Sequence, residues 1–145
     1  MKITTVFDVA KYILIKLGTM STWKLQKLCY YSQAWSIAWT GRPLFNEEFQ
    51  AWANGPVCPA LFNVHRHRFY IDESVISGNA DALDSDQKDT IDTVLKSYGG
   101  MEPYELRELT HQEEPWRIAR GNVSEGDPCT TVISIDSMGQ FYGKL

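Results

Sequence analysis

Apolar positions recur at helical spacing along most of this chain. Val6, Val9, Ile13 and Leu17 share one stripe and predict a first helix over about 5–17, which Gly18 ends by left-handed capping. Ser21 or Thr22 then caps a long second helix that runs to Thr40 and stops at Gly41. On that helix Thr22, Gln26, Cys29, Gln33, Ser36 and Thr40 fall on one narrow stripe of small or amide side chains. Leu25, Leu28, Ser32, Trp35 and Trp39 line one flank, and Trp23, Tyr30, Ala34 and Ile37 the other. Lys24 and Lys27 lie on the far side, near Tyr31. A helix apolar on two flanks belongs inside its domain, and the small-residue stripe predicts close approach of a neighbouring helix.

Leu44 to Ala53 alternates loosely, as a short strand or an extended arm, and Asn54-Gly55-Pro56 is a turn signal. Pro59 suits the first position of a third helix reaching about Phe69. A polar connector over 71–82 leads to a helix that begins at Leu83-Asp84-Ser85 and carries Ile91, Val94, Leu95 and Tyr98 as its apolar face. Gly99-Gly100 ends it. Pro103 opens a short helix, Glu114-Pro115-Trp116 another ending near Gly121, and Ser134 caps a terminal helix after a loop from Gly126. The pattern predicts a mainly α fold: one domain over 1–145, a compact helical bundle around a central aromatic-rich helix, with one small β element.

Composition narrows the function classes. At 43% hydrophobic residues the chain is ordinary for a globular domain, and 145 residues suffice for one core. Fourteen Lys plus Arg against 18 Asp plus Glu give a net charge of −4, which argues against a dedicated nucleic-acid binder. Local basicity is confined to His65-Arg66-His67-Arg68. The helical spacing of the aromatics favours packing over base stacking. Three widely spaced cysteines make no disulfide framework, no signal peptide is evident, and no apolar run is long enough to span a membrane, so a cytoplasmic location is expected.

Several segments together resemble one family. Leu25-Gln26-Lys27-Leu28, Tyr30-Tyr31 and Gln33-Ala34-Trp35 look like the signature helix of the Panacea antitoxin domain, a phage-associated family that includes SocA-type proteins. Gly41-Arg42-Pro43-Leu44-Phe45 resembles the family's turn out of that helix. Glu48 with Ala51-Trp52 and Gly55-Pro56-Val57 resembles its hallmark corner, and Leu109-Thr110-His111 with Glu114-Pro115-Trp116 and Ala119-Arg120 its late motif. Asn54 and Cys29 depart from the pattern, standing where an aromatic and an aliphatic residue are frequent. The resemblance implies a protein-binding function: neutralising a cognate toxin by direct contact or, as alternatives, delivering it to a bacterial protease as an adaptor or acting as a phage-associated interaction protein without a toxin.

Candidate residues follow from both sources. Lys24, Lys27 and Tyr31 either form a partner-facing surface or, for the lysines, carry their stems over the core edge to water. Trp52, Gly55 and Pro56 make either a recognition loop or, the favoured role, a corner in which Trp52 plugs the core. Trp35 and Trp116 carry family motifs as structural residues. His111 or Thr110 is expected to satisfy free N–H groups of the following helix; a general base at His111 lacks any neighbouring nucleophile. His65 and His67 sit on different sides of a helix, Cys58 is isolated, and no phosphate loop is present, so no catalytic, cofactor or metal site is assigned.

Overall fold

The structure is a computed structural model that describes residues 4–145; the expectation about a leader falls partly on Met1–Ile3, outside them. The central element is α2, Thr22–Thr40, with 13 of its 19 residues buried, as an internal helix requires. Ser21 caps it by accepting from the Lys24 N–H at 3.0 Å, and Gly41 closes it in the left-handed region at φ 73°. Before it lies α1, Val6–Leu17, held by a reciprocal cap in which the Thr5 N–H donates to the Asp8 carboxylate at 2.9 Å. The later helices are α3 (Pro59–His65), α4 (Ser85–Tyr98), α5 (Pro103–Gln112), α6 (Glu114–Arg120) and α7 (Ile135–Tyr142). α2 packs against α1, α4, α5 and α7, so the core surrounds it.

Two small antiparallel sheets complete the fold. Strands β2 (Gln50–Trp52) and β3 (Gly55–Val57) form a hairpin, pairing Ala51 with Pro56. Strands β1 (Met20–Ser21) and β4 (Tyr70–Ile71) clip the start of α2 to the chain after α3. Three expectations change here. The third helix ends at His65 rather than near Phe69, because His67 turns left-handed at φ 75° and frees Tyr70 to pair with Ser21. The connector after Ile71 is not wholly polar: Ile71 and Ile76 are buried, and two 3₁₀ turns span Glu73–Val75 and Ala80–Ala82. Gly55 and Pro56 lie in β3, and the turn itself is Ala53-Asn54.

The polar members of the α2 stripe hold irregular backbone, and Gln26 also meets a neighbouring helix, its amide nitrogen 2.9 Å from His65 Nε2 on α3. The Gln26 amide takes the Cys58 N–H at 2.8 Å and gives a hydrogen to the Cys58 carbonyl at 3.2 Å. Gln33 does the same one stretch earlier, accepting from the Leu44 N–H at 2.7 Å and donating to the Phe45 carbonyl at 2.8 Å. Ser36 donates to the Arg42 carbonyl at 2.7 Å and Thr22 to the Arg68 carbonyl at 3.1 Å. Buried backbone outside helices and sheets still needs partners, and amide side chains supply a donor and an acceptor together. The stripe is thus a rail that holds the connecting arms against α2. Among the described residues no helix is long and apolar enough to cross a membrane.

Candidate partner-binding site

The β2–β3 hairpin lies across α2, α5 and α6 and brings together motif residues distant in sequence. Gly55 adopts φ +110°, and a Cβ there would meet Lys27 Cε at 2.6 Å and Thr110 Oγ1 at 3.0 Å. Only glycine allows the hairpin to close down on the Lys27 stem. On the hairpin's other strand, the Trp52 carbonyl accepts from the Trp116 indole N–H at 2.9 Å, and the Ala51 carbonyl from Arg120 at 2.9 Å. Trp116 is buried, stacked at 3.9 Å on His111, with the Arg120 guanidinium 4.9 Å from its ring. Trp116 therefore fills the core position expected of Trp52. The Trp52 ring is only half-buried, edge-on to Phe62 at 4.9 Å, with its N–H on Gln50.

Lys27 is 1% exposed, which removes it from the expected surface as a flexible, water-reaching cation. Its Nζ lies 5.3 Å from the Trp23 ring centroid and has no hydrogen-bond partner among the described residues. Burial, with the Arg107 guanidinium nearby, pushes the amine down from 10.5 to about 7. A cavity of about 220 Å³ adjoins it, walled by Trp23, Lys27, Asn54, Pro103, Tyr104 and Arg107. Arg107 is held in place by Asn54 at 3.3 Å and by Glu108 at 2.7 Å.

Trp23 also walls a second depression of about 180 Å³, with Phe62, His65, Arg66, His67, Arg68 and Phe69. The two hollows thus share one ring. Around them Phe69 is 83% exposed and Tyr104 68%, beside the exposed Arg66 and Arg68. This aromatic and cationic face stands out on a chain of net charge −4. Its sequence signal was the His65–Arg68 run, but the run carries no hint that Phe69 and Trp23 would line one hollow. Lys24, one position beyond Trp23, is partly exposed and is the one member of the expected trio at the surface.

Tyr31 is wholly buried and cannot touch a partner. Its hydroxyl donates to Glu113 at 2.7 Å, and Tyr142 donates to the same carboxylate oxygen at 2.8 Å. Burial raises the Glu113 carboxyl, while these two donors act in the opposite direction. Trp35 is structural: its N–H donates to the Tyr98 hydroxyl at 2.9 Å, and its ring packs on Tyr142. His111 and Thr110 do not cap α6. Thr110 donates back to the Arg107 carbonyl at 2.8 Å, while His111 Nδ1 lies 2.9 Å from Glu125. Burial lowers the His111 pKa, while the hydrogen bond and charge of Glu125 pull it the other way. Among the described residues no three or more His, Cys, Asp or Glu side chains group to hold a metal ion.

This helical core, its hairpin corner and its late α5–α6 motif are those of an antitoxin domain family: the family described as "Antitoxin SocA-like, Panacea domain" matches residues 25–117, and the chain belongs to it. Among curated proteins it is similar to Antitoxin SocA of Caulobacter vibrioides (strain NA1000 / CB15N), 29% identical over 111 residues. That match covers 68% of this chain and 59% of the relative, so the chain spans about three-fifths of the length of that protein. No solved structure matches it.

Proposed function

We propose that this chain is the antitoxin of a toxin–antitoxin pair and neutralises its toxin by direct contact, with no cofactor and no chemistry of its own. Family membership supports the antitoxin role. The observation that carries direct contact is the pair of hollows sharing Trp23, rimmed by the exposed rings of Phe69 and Tyr104. Large aromatics held around recesses supply the few desolvated anchors that dominate protein interfaces, and basic residues beside them steer an acidic partner. Lys24 lines neither hollow, and the buried Tyr31 acts only by holding α2 in place.

The test is growth of bacteria expressing the adjacent gene's product with and without this chain, in normal and protease-deficient strains, followed by co-purification. Direct neutralisation predicts rescue and a stable complex in both strains. It also predicts that Tyr104→Ala with Phe69→Ser, both at exposed positions, loses rescue and complex while keeping its helical content. Rescue that needs the protease would replace this function with that of an adaptor. A double variant that rescues like the wild type would move the contact to another face.

A further inference from the structure

The cavity beside Lys27 combines features that a packing corner does not need. Two cations, Lys27 and Arg107, line it, and no Asp or Glu does. Of the acids on α5, Glu108 is engaged by Arg107 at 2.7 Å, and Glu105 accepts from the Glu102 N–H at 2.8 Å. The Lys27 amine is fully buried, yet none of its three possible donors is used among the described residues. An unmet buried donor is destabilising, and an apolar residue of the same length would avoid that cost. The remaining walls, Trp23, Pro103 and Tyr104, are rigid and largely apolar, with the Asn54 amide at the edge. The guest such a recess suits is planar, anionic and able to accept several hydrogen bonds at once.

We infer that the Lys27–Arg107 cavity is a subsite for a carboxylate of a bound polypeptide, which the buried Lys27 amine and the Arg107 guanidinium engage together. A carboxylate would supply the missing acceptor, and Trp23 and Tyr104 would shield the pair from water. Gly55 contributes by leaving the Lys27 stem its channel under β3. That the polypeptide is the toxin rests on the function proposed above; the carboxylate chemistry does not.

The experiment uses the full chain without any toxin and follows the Trp23 indole and Lys27 Cε signals by NMR during peptide titrations. Three probes are compared: acetyl-Gly-Glu-Gly-amide, acetyl-Gly-Gly-Gly with a free C-terminus, and acetyl-Gly-Gln-Gly-amide. Saturable shifts with one or both acidic peptides, at least about tenfold weaker or lost in Lys27→Met, are expected, as for removal of one partner of a buried charged pair. Whichever acidic peptide binds assigns the source as a side chain or a chain terminus. Arg107→Gln, with Lys27 intact, should weaken the same peptides and guards against a folding defect in Lys27→Met. Equal shifts with the glutamine peptide, no shifts with any peptide, or unchanged binding in both variants would overturn the subsite. Peptide binding without bacterial rescue would keep the subsite and remove the toxin function, and rescue without peptide binding would do the reverse.

Discussion

Glu113 reaches from the junction of α5 and α6 to the Tyr31 side chain of α2, and its carboxylate accepts the Tyr31 hydroxyl at 2.7 Å. Tyr142 of α7 donates to the same oxygen at 2.8 Å and lies 3.1 Å from the Tyr30 hydroxyl, from which it can accept, so one buried carboxylate ties three helical regions together.

Burial raises the Glu113 pKa above its ordinary 4.5 in the folded state. The folded protein then holds that proton more tightly than the unfolded chain. The resulting stability is fully present below pH 4.5 and is lost as pH rises through the raised value. Urea unfolding at a series of pH values should show the wild type losing stability relative to Glu113→Gln across this window. Parallel pH profiles for the two proteins would show that Glu113 does not titrate differently on folding.

Lys27 carries the opposite sign. Its amine falls from 10.5 to about 7 on folding, so between those values the unfolded chain binds more protons and stability rises with pH. Arg107 and His65 are the charged or titratable neighbours coupled to it. Lys27→Met should lack that rise while remaining folded. A rise of equal size in the variant would place its origin in other groups.

Gly55→Ala should destabilise by about 1–3 kcal/mol, because φ +110° strains any side chain and the new methyl would fall 2.6 Å from Lys27 Cε. Shortening Lys27 to Ala in the same chain should recover the steric part and leave the backbone part. A double-mutant cycle by denaturant unfolding reads the coupling, and strict additivity would show that the two residues do not meet.

Trp116→Ala should cost about 3–5 kcal/mol, the range for truncating a core aromatic, and Trp52→Ala distinctly less. Trp116 is 5% exposed and also loses its bond to the Trp52 carbonyl, whereas Trp52 itself is only partly buried and lies outside the core cluster. Thermal unfolding of both variants decides it, with the reverse order contradicting the core placement.

The rail on α2 gives a local readout. Gln26→Ala leaves the Cys58 N–H unmet, while the Cys58 carbonyl keeps the Phe62 N–H, and Gln33→Ala leaves the Leu44 N–H and the Phe45 carbonyl unmet; each should cost about 1–3 kcal/mol. Hydrogen exchange should accelerate at Cys58 in the first variant and at Leu44 in the second. Unchanged protection at those amides would mean the arms are held by packing alone.

The sequence by itself determined the helices and the family. Apolar spacing, Ser21, Gly41, Pro59, Pro103 and Ser134 are local signals, acting within a turn of where they stand, so element positions follow from neighbours along the chain. The aromatic density of α2 likewise showed that it lies inside. Tertiary structure alone decided which polar residues were inside with it. Lys27 and Tyr31 share a face with Lys24, yet β3 and α5 cover the first and Glu113 engages the second, through contacts 28 and 82 positions away. The same holds for Trp116 taking the core place expected of Trp52, and for Phe69 and Trp23 lining one hollow beside the β1–β4 clip. Periodicity reports that a helix has an apolar side. It cannot report what lands on the polar one, because burial there depends on long-range contacts that the hairpin and α5–α6 make only once the chain has folded.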